Sequence, residues 1–247
     1  MDQLTNARPE LQATPRSSET WWVIRGGRGR VGGSTFLDFI IQRSRRRGRR
    51  VKPLDGDLRS RTLSALYPTS DMAGAPMADG ASSPASEDLA ANKDWLTGEL
   101  DASVDDGACR VVDFGGGDRV IQEYGSDLRL GDFCRDVGLG LIWAFVLGPD
   151  LEDLQHVVQV VGSGHVTGRI LLVSNEGVIR YGQSTSGVFQ LTAARPEYKD
   201  LLRSGAEAFL MPPRMTGMPI FSAAAAVLAV GSMPRQGMPA ATKFFSK

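Results

Sequence analysis

The residues best suited to chemistry form a glycine-rich segment, residues 26–35, which reads GGRGRVGGST. It follows an apolar run, residues 21–24, and leads into residues 34–47, whose apolar side chains recur at helical spacing. A glycine loop that opens a helix presents backbone N–H groups and the positive end of the helix dipole to an anion. The pattern therefore predicts a phosphate-binding loop, with a tight strand-to-helix connection as the plainer alternative.

Acidic and amide side chains follow three other predicted strands. Asp55 and Asp57 come after the strand at residues 51–54, Asp113 lies near the end of the strand at residues 110–114, and Asn175 follows the strand at residues 169–174. In a parallel sheet with right-handed crossovers, the loops after the strands meet at one edge. We expect these side chains to converge there with the glycine loop.

The elements that must position them alternate between strand and helix. Several strands are unalternated Val, Ile and Leu runs, as a parallel sheet buried on both faces requires. The predicted fold class is α/β, a mostly parallel sheet flanked by helices on both faces. Further strands are predicted at residues 139–147 and 208–211, and helices at residues 87–100, 151–161, 196–203 and 220–230.

The glycine loop resembles the deviant P-loop of the ParA/MinD family of ATPases, GGKGGVGK[ST][ST]. Seven of the ten positions match, and Arg28, Arg30 and Gly33 depart from the pattern. Arg28 stands at the family's signature lysine. Gly33 stands where the family has the lysine that contacts the β- and γ-phosphates. This chain therefore lacks a charge-assisted hydrogen bond to phosphate, which would contribute roughly 1.5–3 kcal/mol.

The resemblance implies a P-loop NTPase with a three-layer α/β/α fold, and ATP and Mg²⁺ as ligands. Ser34 would coordinate Mg²⁺ together with Asp57 and Asp113. Asp57 would also orient water, and Asn175 would recognise the base. Arg28 would reach the phosphates of a partner subunit. The remaining nucleotide contacts would come from the loop itself: Gly27, Arg28, Gly29, Arg30, Val31, Gly32, Gly33, Ser34 and Thr35.

The resemblance further implies a homodimer that acts as a nucleotide-dependent switch in plasmid or chromosome partition or mobilisation. Its partner would be a protein of a partition or conjugation system. The loss of the lysine at Gly33 keeps a second hypothesis open, a non-catalytic pseudo-ATPase that serves as a protein-interaction module. A dinucleotide-binding dehydrogenase is disfavoured, because the loop runs into Gly-Gly-Ser-Thr.

Six arginines close together at residues 43–50 (Arg43, Arg45, Arg46, Arg47, Arg49 and Arg50) suggest non-specific contact with DNA phosphates. The cluster also suits the end of a helix, where the dipole favours cations in solvent. With 28 Lys and Arg against 28 Asp and Glu, the formal net charge is zero, which argues against a surface that is basic throughout.

The 247-residue composition is that of an ordinary globular protein. We predict a disordered segment at residues 1–20, one domain at residues 21–231 with a flexible loop at residues 68–86, and a tail at residues 232–247. Cys109 and Cys134 cannot form a disulfide framework, and two histidines do not make a zinc site. No signal peptide or transmembrane run is evident, so the expected location is the cytoplasm.

Overall fold

In the computed structural model, the described residues are 20–116, 120, 129–179 and 185–213. They contain a six-stranded parallel sheet in the order β2-β3-β1-β4-β5-β6. The strands are β1 (Trp21–Gly26), β2 (Val51–Asp55), β3 (Cys109–Asp113), β4 (Gly140–Leu147), β5 (Arg169–Asn175) and β6 (Glu207–Met211).

The helices follow the strands in the alternation that the sequence predicts. They are α1 (Gly33–Arg46), α2 (Thr62–Leu66), α3 (Leu89–Asp106), α4 (Leu130–Asp136), α5 (Leu151–Gly162), α6 (Thr185–Ala194) and α7 (Pro196–Arg203), with a 3₁₀ turn at Glu176–Val178. The predicted α/β class and its parallel sheet are confirmed. No described helix has both the length and the apolarity needed to cross a membrane.

The sheet has an apolar core on each face, because side chains that alternate along β1 enter opposite layers. Trp22 and Ile24 belong to the core that includes residues of α3, α5 and α7, whereas Trp21 and Val23 belong to the core that includes residues of α1. All six β1 residues are buried. The two layers explain why the central strands are apolar without alternation.

Several predicted boundaries shift by a few residues. The helix predicted at residues 87–100 begins at Leu89 and continues to Asp106, and Gly107 ends it with a φ of 62°. Helices α2, α4 and α6 were not predicted from the sequence. The predictions for residues 1–19, for the helix at residues 220–230 and for the tail at residues 232–247 lie outside the described residues.

The segment predicted as a flexible loop, residues 68–86, contains no helix or extended strand. Its later part is nevertheless fixed to the free edge of β2. Ser82 N donates to Pro53 O over 3.0 Å, and Ser82 O accepts from Asp55 N over 2.8 Å. This pairing covers an edge that would otherwise expose backbone hydrogen-bonding groups.

Candidate functional site

The glycine loop lies at the carboxyl end of β1, in the middle of the sheet. Gly32 is the N-cap of α1, with a φ of 84° that suits glycine. The strand register sets Arg25 of β1 beside Asp113 of β3, and Asp113 beside Asp55 of β2. The predicted convergence of the loop with the strand-end carboxylates is therefore present.

Ser34 and Asp113 make the contact that joins the loop to β3. Ser34 Oγ donates to Asp113 Oδ2 over 2.5 Å, and Asp113 Oδ1 accepts from Gly115 N over 2.9 Å. Asp113 is 1% exposed. The hydroxyl and carboxylate predicted to hold a metal ion are thus direct neighbours at the start of α1.

Arg25 is a site residue that sequence reasoning missed. It is 3% exposed, and its guanidinium lies beneath the loop, where Nη2 donates to Arg28 O over 2.5 Å. Nη1 donates to Gly115 O and lies 3.5 Å from Asp113 Oδ1, while the buried Nε has no hydrogen-bond partner. The strand-end position of an arginine before the first loop glycine was the available signal.

Arg25 leaves no room for a side chain at position 33. A Cβ at position 33 would lie 2.8 Å from Arg25 Cζ, and still nearer to Nε, which is closer than real Cβ contacts allow. The position where the family pattern has lysine is therefore filled from the side by the arginine of β1.

Asn175 holds the glycine loop in place. It is 3% exposed, its Nδ2 donates to Val31 O over 2.8 Å, and its Oδ1 accepts from Gly177 N over 2.8 Å. A Cβ on Gly32 would overlap the Asn175 amide. The amide predicted to read a base is thus engaged with the loop backbone in this structure.

The carboxylate that ends β2 is Asp55, two residues before Asp57. Asp55 is buried, and Ser64 N donates to its Oδ2 over 2.7 Å. Burial raises the pKa of Asp55, and the nearby Asp113 adds to the rise although hydrogen bonds from Ser64 oppose it. The resemblance had instead given the metal-holding and water-orienting roles at this strand to Asp57.

Asp57 lies in the turn before α2. Its Oδ1 accepts from Arg59 N over 3.2 Å and from Ser60 N over 3.1 Å. Its carboxyl group packs against Gly115, where an added Cβ would be 2.8 Å away. Asp57 therefore stays at the site edge, next to the segment that follows β3.

The two loop arginines differ in their surroundings. Arg28 Nη1 lies 2.8 Å from Glu152 Oε2 and 3.5 Å from Asp153 Oδ1, at the start of α5. Burial raises the pKa of Asp153, opposed by its bond from Gly148 N and by the charge of Arg28. Arg30 is exposed and has a φ of 67°, an uncommon conformation for a residue with a side chain.

A cavity of about 560 Å³ opens beside the loop. Its walls are residues 28–31, the start of α5, and the side chains of Val178, Val188 and Leu191. Its size is within the range of small-molecule pockets. The loop thus has open volume on the side away from β3.

The arginine cluster at residues 43–50 is partly committed to the fold. Arg45 donates to Val51 O over 2.9 Å and stacks over the Tyr67 ring at 4.9 Å, and Arg50 donates to Asp106 O over 2.9 Å. Arg46 and Arg47 are exposed at the end of α1. The surface available to an anionic partner is therefore narrower than the run of arginines suggested.

The two cysteines are buried and are not joined in a disulfide. Burial raises the pKa of the Cys134 thiol to about 11, which disfavours a reactive thiolate. Within the described ranges, no three His, Cys, Asp or Glu side chains gather as a metal-binding group. The glycine loop remains the place in the described chain where functional groups converge.

No protein-family model matches the chain, and no curated protein matches it in sequence. Solved structures do resemble it. The signal recognition particle receptor FtsY from Elizabethkingia anophelis has a TM-score of 0.51 at 13% identity, covering 88% of this chain and 68% of that one.

Two further solved structures have lower scores. Chloroplast FtsY from Physcomitrella patens gives a TM-score of 0.48 at 12% identity, covering 88% of this chain and 62% of that one. FlhF complexed with GMPPNP/Mg²⁺ gives 0.47 at 12% identity, covering 86% and 74%. The sheet order together with the first neighbour shows that this chain has the α/β/α fold of P-loop NTPases.

Proposed function

We propose that this protein binds the phosphate groups of a nucleotide at the glycine loop and acts as a nucleotide-dependent switch. The observation that carries the proposal is the Ser34–Asp113 contact of 2.5 Å at the N-terminus of α1. Backbone N–H groups at a helix start favour phosphate oxygens, and a hydroxyl beside a carboxylate suits the cation that accompanies them.

Magnesium fits this pair of oxygen ligands. Mg²⁺ keeps water and phosphate oxygens around one or two protein groups, so it does not need a cage of three acidic side chains. Ser34 and Asp113 would hold it, with Asp57 at the edge of the shell. Bound Mg²⁺ would neutralise charge on the β- and γ-phosphates. The guanidinium of Arg25, 3.5 Å from Asp113, already supplies part of the positive charge there.

We further propose the ParA/MinD-like version of this switch, with ATP as ligand and a homodimer as the ATP-bound state. The ten-residue loop pattern supports it, as does the place of Arg28 on the loop surface, half-exposed and held by the acidic start of α5. Asn175 lies beside the loop, where a base contact would also fix the loop backbone. Partition or mobilisation of DNA would use the exposed Arg46 and Arg47.

Calorimetric titration of ATP, ADP and GTP, each with and without Mg²⁺, tests this function. We expect micromolar binding, and the base that binds best identifies the nucleotide. Light scattering and DNA-binding assays with and without ATP then test the switch. The proposal fails if no nucleotide binds. Its ParA/MinD-like part fails if ATP changes neither the oligomeric state nor the affinity for DNA or a partner protein.

A second candidate is a non-catalytic pseudo-ATPase that acts as an interaction module. Gly116 of the segment after β3 packs on Gly29 of the loop so closely that a Cβ on Gly116 would overlap Gly29 Cα, at 2.7 Å. This packing and the missing lysine both disfavour turnover of a γ-phosphate. Mg²⁺-dependent ATP hydrolysis that Asp57→Ala abolishes would refute this candidate.

A further inference from the structure

This inference starts from the relation between two positions at the loop, 25 and 33. Position 33 has lost the lysine of the pattern, and the guanidinium of Arg25 fills the space that a side chain at 33 would enter. We propose that Arg25 takes the place of the missing P-loop lysine and supplies its positive charge to bound phosphate. This inference rests on the proposed phosphate binding at the loop.

The contacts of Arg25 hold its guanidinium next to the glycine loop and to Asp113. Nη2 binds a carbonyl of the loop itself, Arg28 O, over 2.5 Å. Nη1 faces Asp113, whose other oxygen accepts the Ser34 hydroxyl. Arg25 is thus linked through one carboxylate to the residue at the start of α1, and its position is fixed from the loop, from β3 and from Gly115.

The guanidinium also has unused hydrogen-bonding capacity. Nε is buried and has no partner, and a guanidinium carries more N–H donors than the acceptors found around it. Buried donors without acceptors are rare, because each is costly to leave unpaired. A phosphate oxygen is an acceptor of the kind for which arginine is well suited.

The pairing has a steric consequence. Restoring lysine at position 33 alone would force its Cβ into the Arg25 side chain, so the lysine pattern and Arg25 exclude each other. A lysine at 33 should be accommodated when Arg25 is shortened. Positions 25 and 33 together therefore have room for one cationic side chain.

The binding experiment measures ATP affinity by calorimetry for the wild type, Arg25→Met, Arg25→Lys and the control Arg203→Met. Arg25→Met keeps the bulk of the side chain and removes the charge, so we expect affinity to fall at least about tenfold. Arg25→Lys should retain most of the affinity. Arg203→Met removes the same charge from an exposed site at the end of α7 and should bind like the wild type.

The exchange experiment compares Gly33→Lys with Arg25→Ala/Gly33→Lys by urea unfolding and by ATP affinity. We expect the single variant to be destabilised and the double variant to recover both stability and binding. If Gly33→Lys does not fold, Gly33→Ala, alone and with Arg25→Ala, replaces it in the unfolding comparison.

Wild-type affinity tests the proposed function, whereas the differences among variants test the role of Arg25. Wild-type binding that Arg25→Met leaves unchanged overturns the inference and leaves the proposed function standing. A wild type that does not bind, beside a double variant that does, refutes both and marks Arg25 as an obstruction. Additive effects at positions 25 and 33 overturn the steric exchange alone.

Discussion

Two buried arginines lie at opposite ends of the central strands, and they differ in how completely their guanidinium groups are paired. Arg110, at the start of β3, is 0% exposed and pairs both terminal nitrogens with Asp106 over 2.7 and 3.0 Å. Its Nε reaches Glu99 over 3.4 Å. Arg25 has one carboxylate, at 3.5 Å, and a nitrogen with no acceptor.

This difference suggests that the charge of Arg110 serves the fold, whereas Arg25 has a hydrogen-bond donor left for a ligand. A buried ion pair is stable only when its hydrogen bonds are satisfied, as they are around Arg110. On the proposed phosphate binding, an incompletely paired cation beneath the glycine loop would lower stability in the empty state and gain a partner when phosphate binds. The two ends of the sheet also differ in their acids, since the pKa of Asp55 at the loop end is raised whereas that of Asp106 is lowered.

The largest expected effect is that of Arg110→Met. The substitution leaves Asp106 and Glu99 without their buried cation, although Lys52 Nζ still lies 2.9 Å from Glu99 Oε1. We expect a loss of about 3 kcal/mol in the free energy of unfolding, measured in urea. ATP affinity should not change in the folded fraction. A loss below about 1 kcal/mol in the free energy of unfolding would show that the pairing of Arg110 is not stronger than that of Arg25.

Arg25→Met should cost less stability, about 1–2 kcal/mol. The variant loses two bonds to carbonyls and one distant ion pair, but it also removes a buried donor that has no acceptor. Urea unfolding without nucleotide measures the difference from Arg110→Met. A loss as large as that of Arg110→Met would contradict the distinction between the two arginines.

The fold class and the position of the loop could be predicted because their signals are local. Unalternated apolar runs indicate a strand buried on both faces, and glycines between such a run and a helix indicate an anion loop. Asp113 at the end of β3 followed from the same reasoning. These features depend on neighbouring residues in the chain.

The contacts of Arg25 could not be predicted in this way. They depend on which strand lies beside β1 and on how a side chain from β1 bends toward Gly33, and neither is encoded by spacing. The pairing of Arg28 with Glu152 has the same origin, since it joins residues that only the crossover to α5 brings together. Residue spacing also could not show that Asp55, and not Asp57, is the carboxylate beside Asp113.

Asp106→Asn tests the satisfied end of the comparison through pH. Burial acts to raise the pKa of Asp106, but hydrogen bonds from Arg110 and Ala108 N and the charges of Arg110 and Arg50 outweigh it and lower the pKa. A lowered folded-state pKa contributes stability that is present above the unfolded value, about 3.9, and is lost as the pH falls through the folded value.

Because 36% of the Asp106 side chain is exposed, solvent screens its charge, so we expect Asp106→Asn to lose less than about 1 kcal/mol at neutral pH and the deficit to shrink as the pH falls below about 4. Urea unfolding across this range measures it. Asp101→Asn, at an exposed position of the same helix, is the matched control and should show little deficit. A deficit that stays constant down to about pH 3 would contradict the role given to the Asp106 charge.

The smallest effect on stability belongs to a third arginine, Arg28. Its shorter ion pair is on the surface, with 41% of its side chain and 72% of the Glu152 side chain exposed. Its longer pair, 3.5 Å to the buried Asp153, can be lost while that carboxylate keeps its hydrogen bond from Gly148 N. Exposed pairs contribute little, so Arg28→Ala should cost less than about 0.5 kcal/mol in urea unfolding. A larger loss would place Arg28 with the buried arginines.

In the homodimer proposed above, Arg28 would have to leave Glu152 and Asp153 to reach the partner subunit. Glu152→Gln weakens that hold without touching the loop, so it should favour ATP-dependent dimerisation in light scattering, whereas Arg28→Ala should abolish it. If Arg28→Ala dimerises normally, the arginine only fastens the loop to α5. Because Arg25 is enclosed and Arg28 is at the surface, their variants should separate nucleotide affinity from dimerisation.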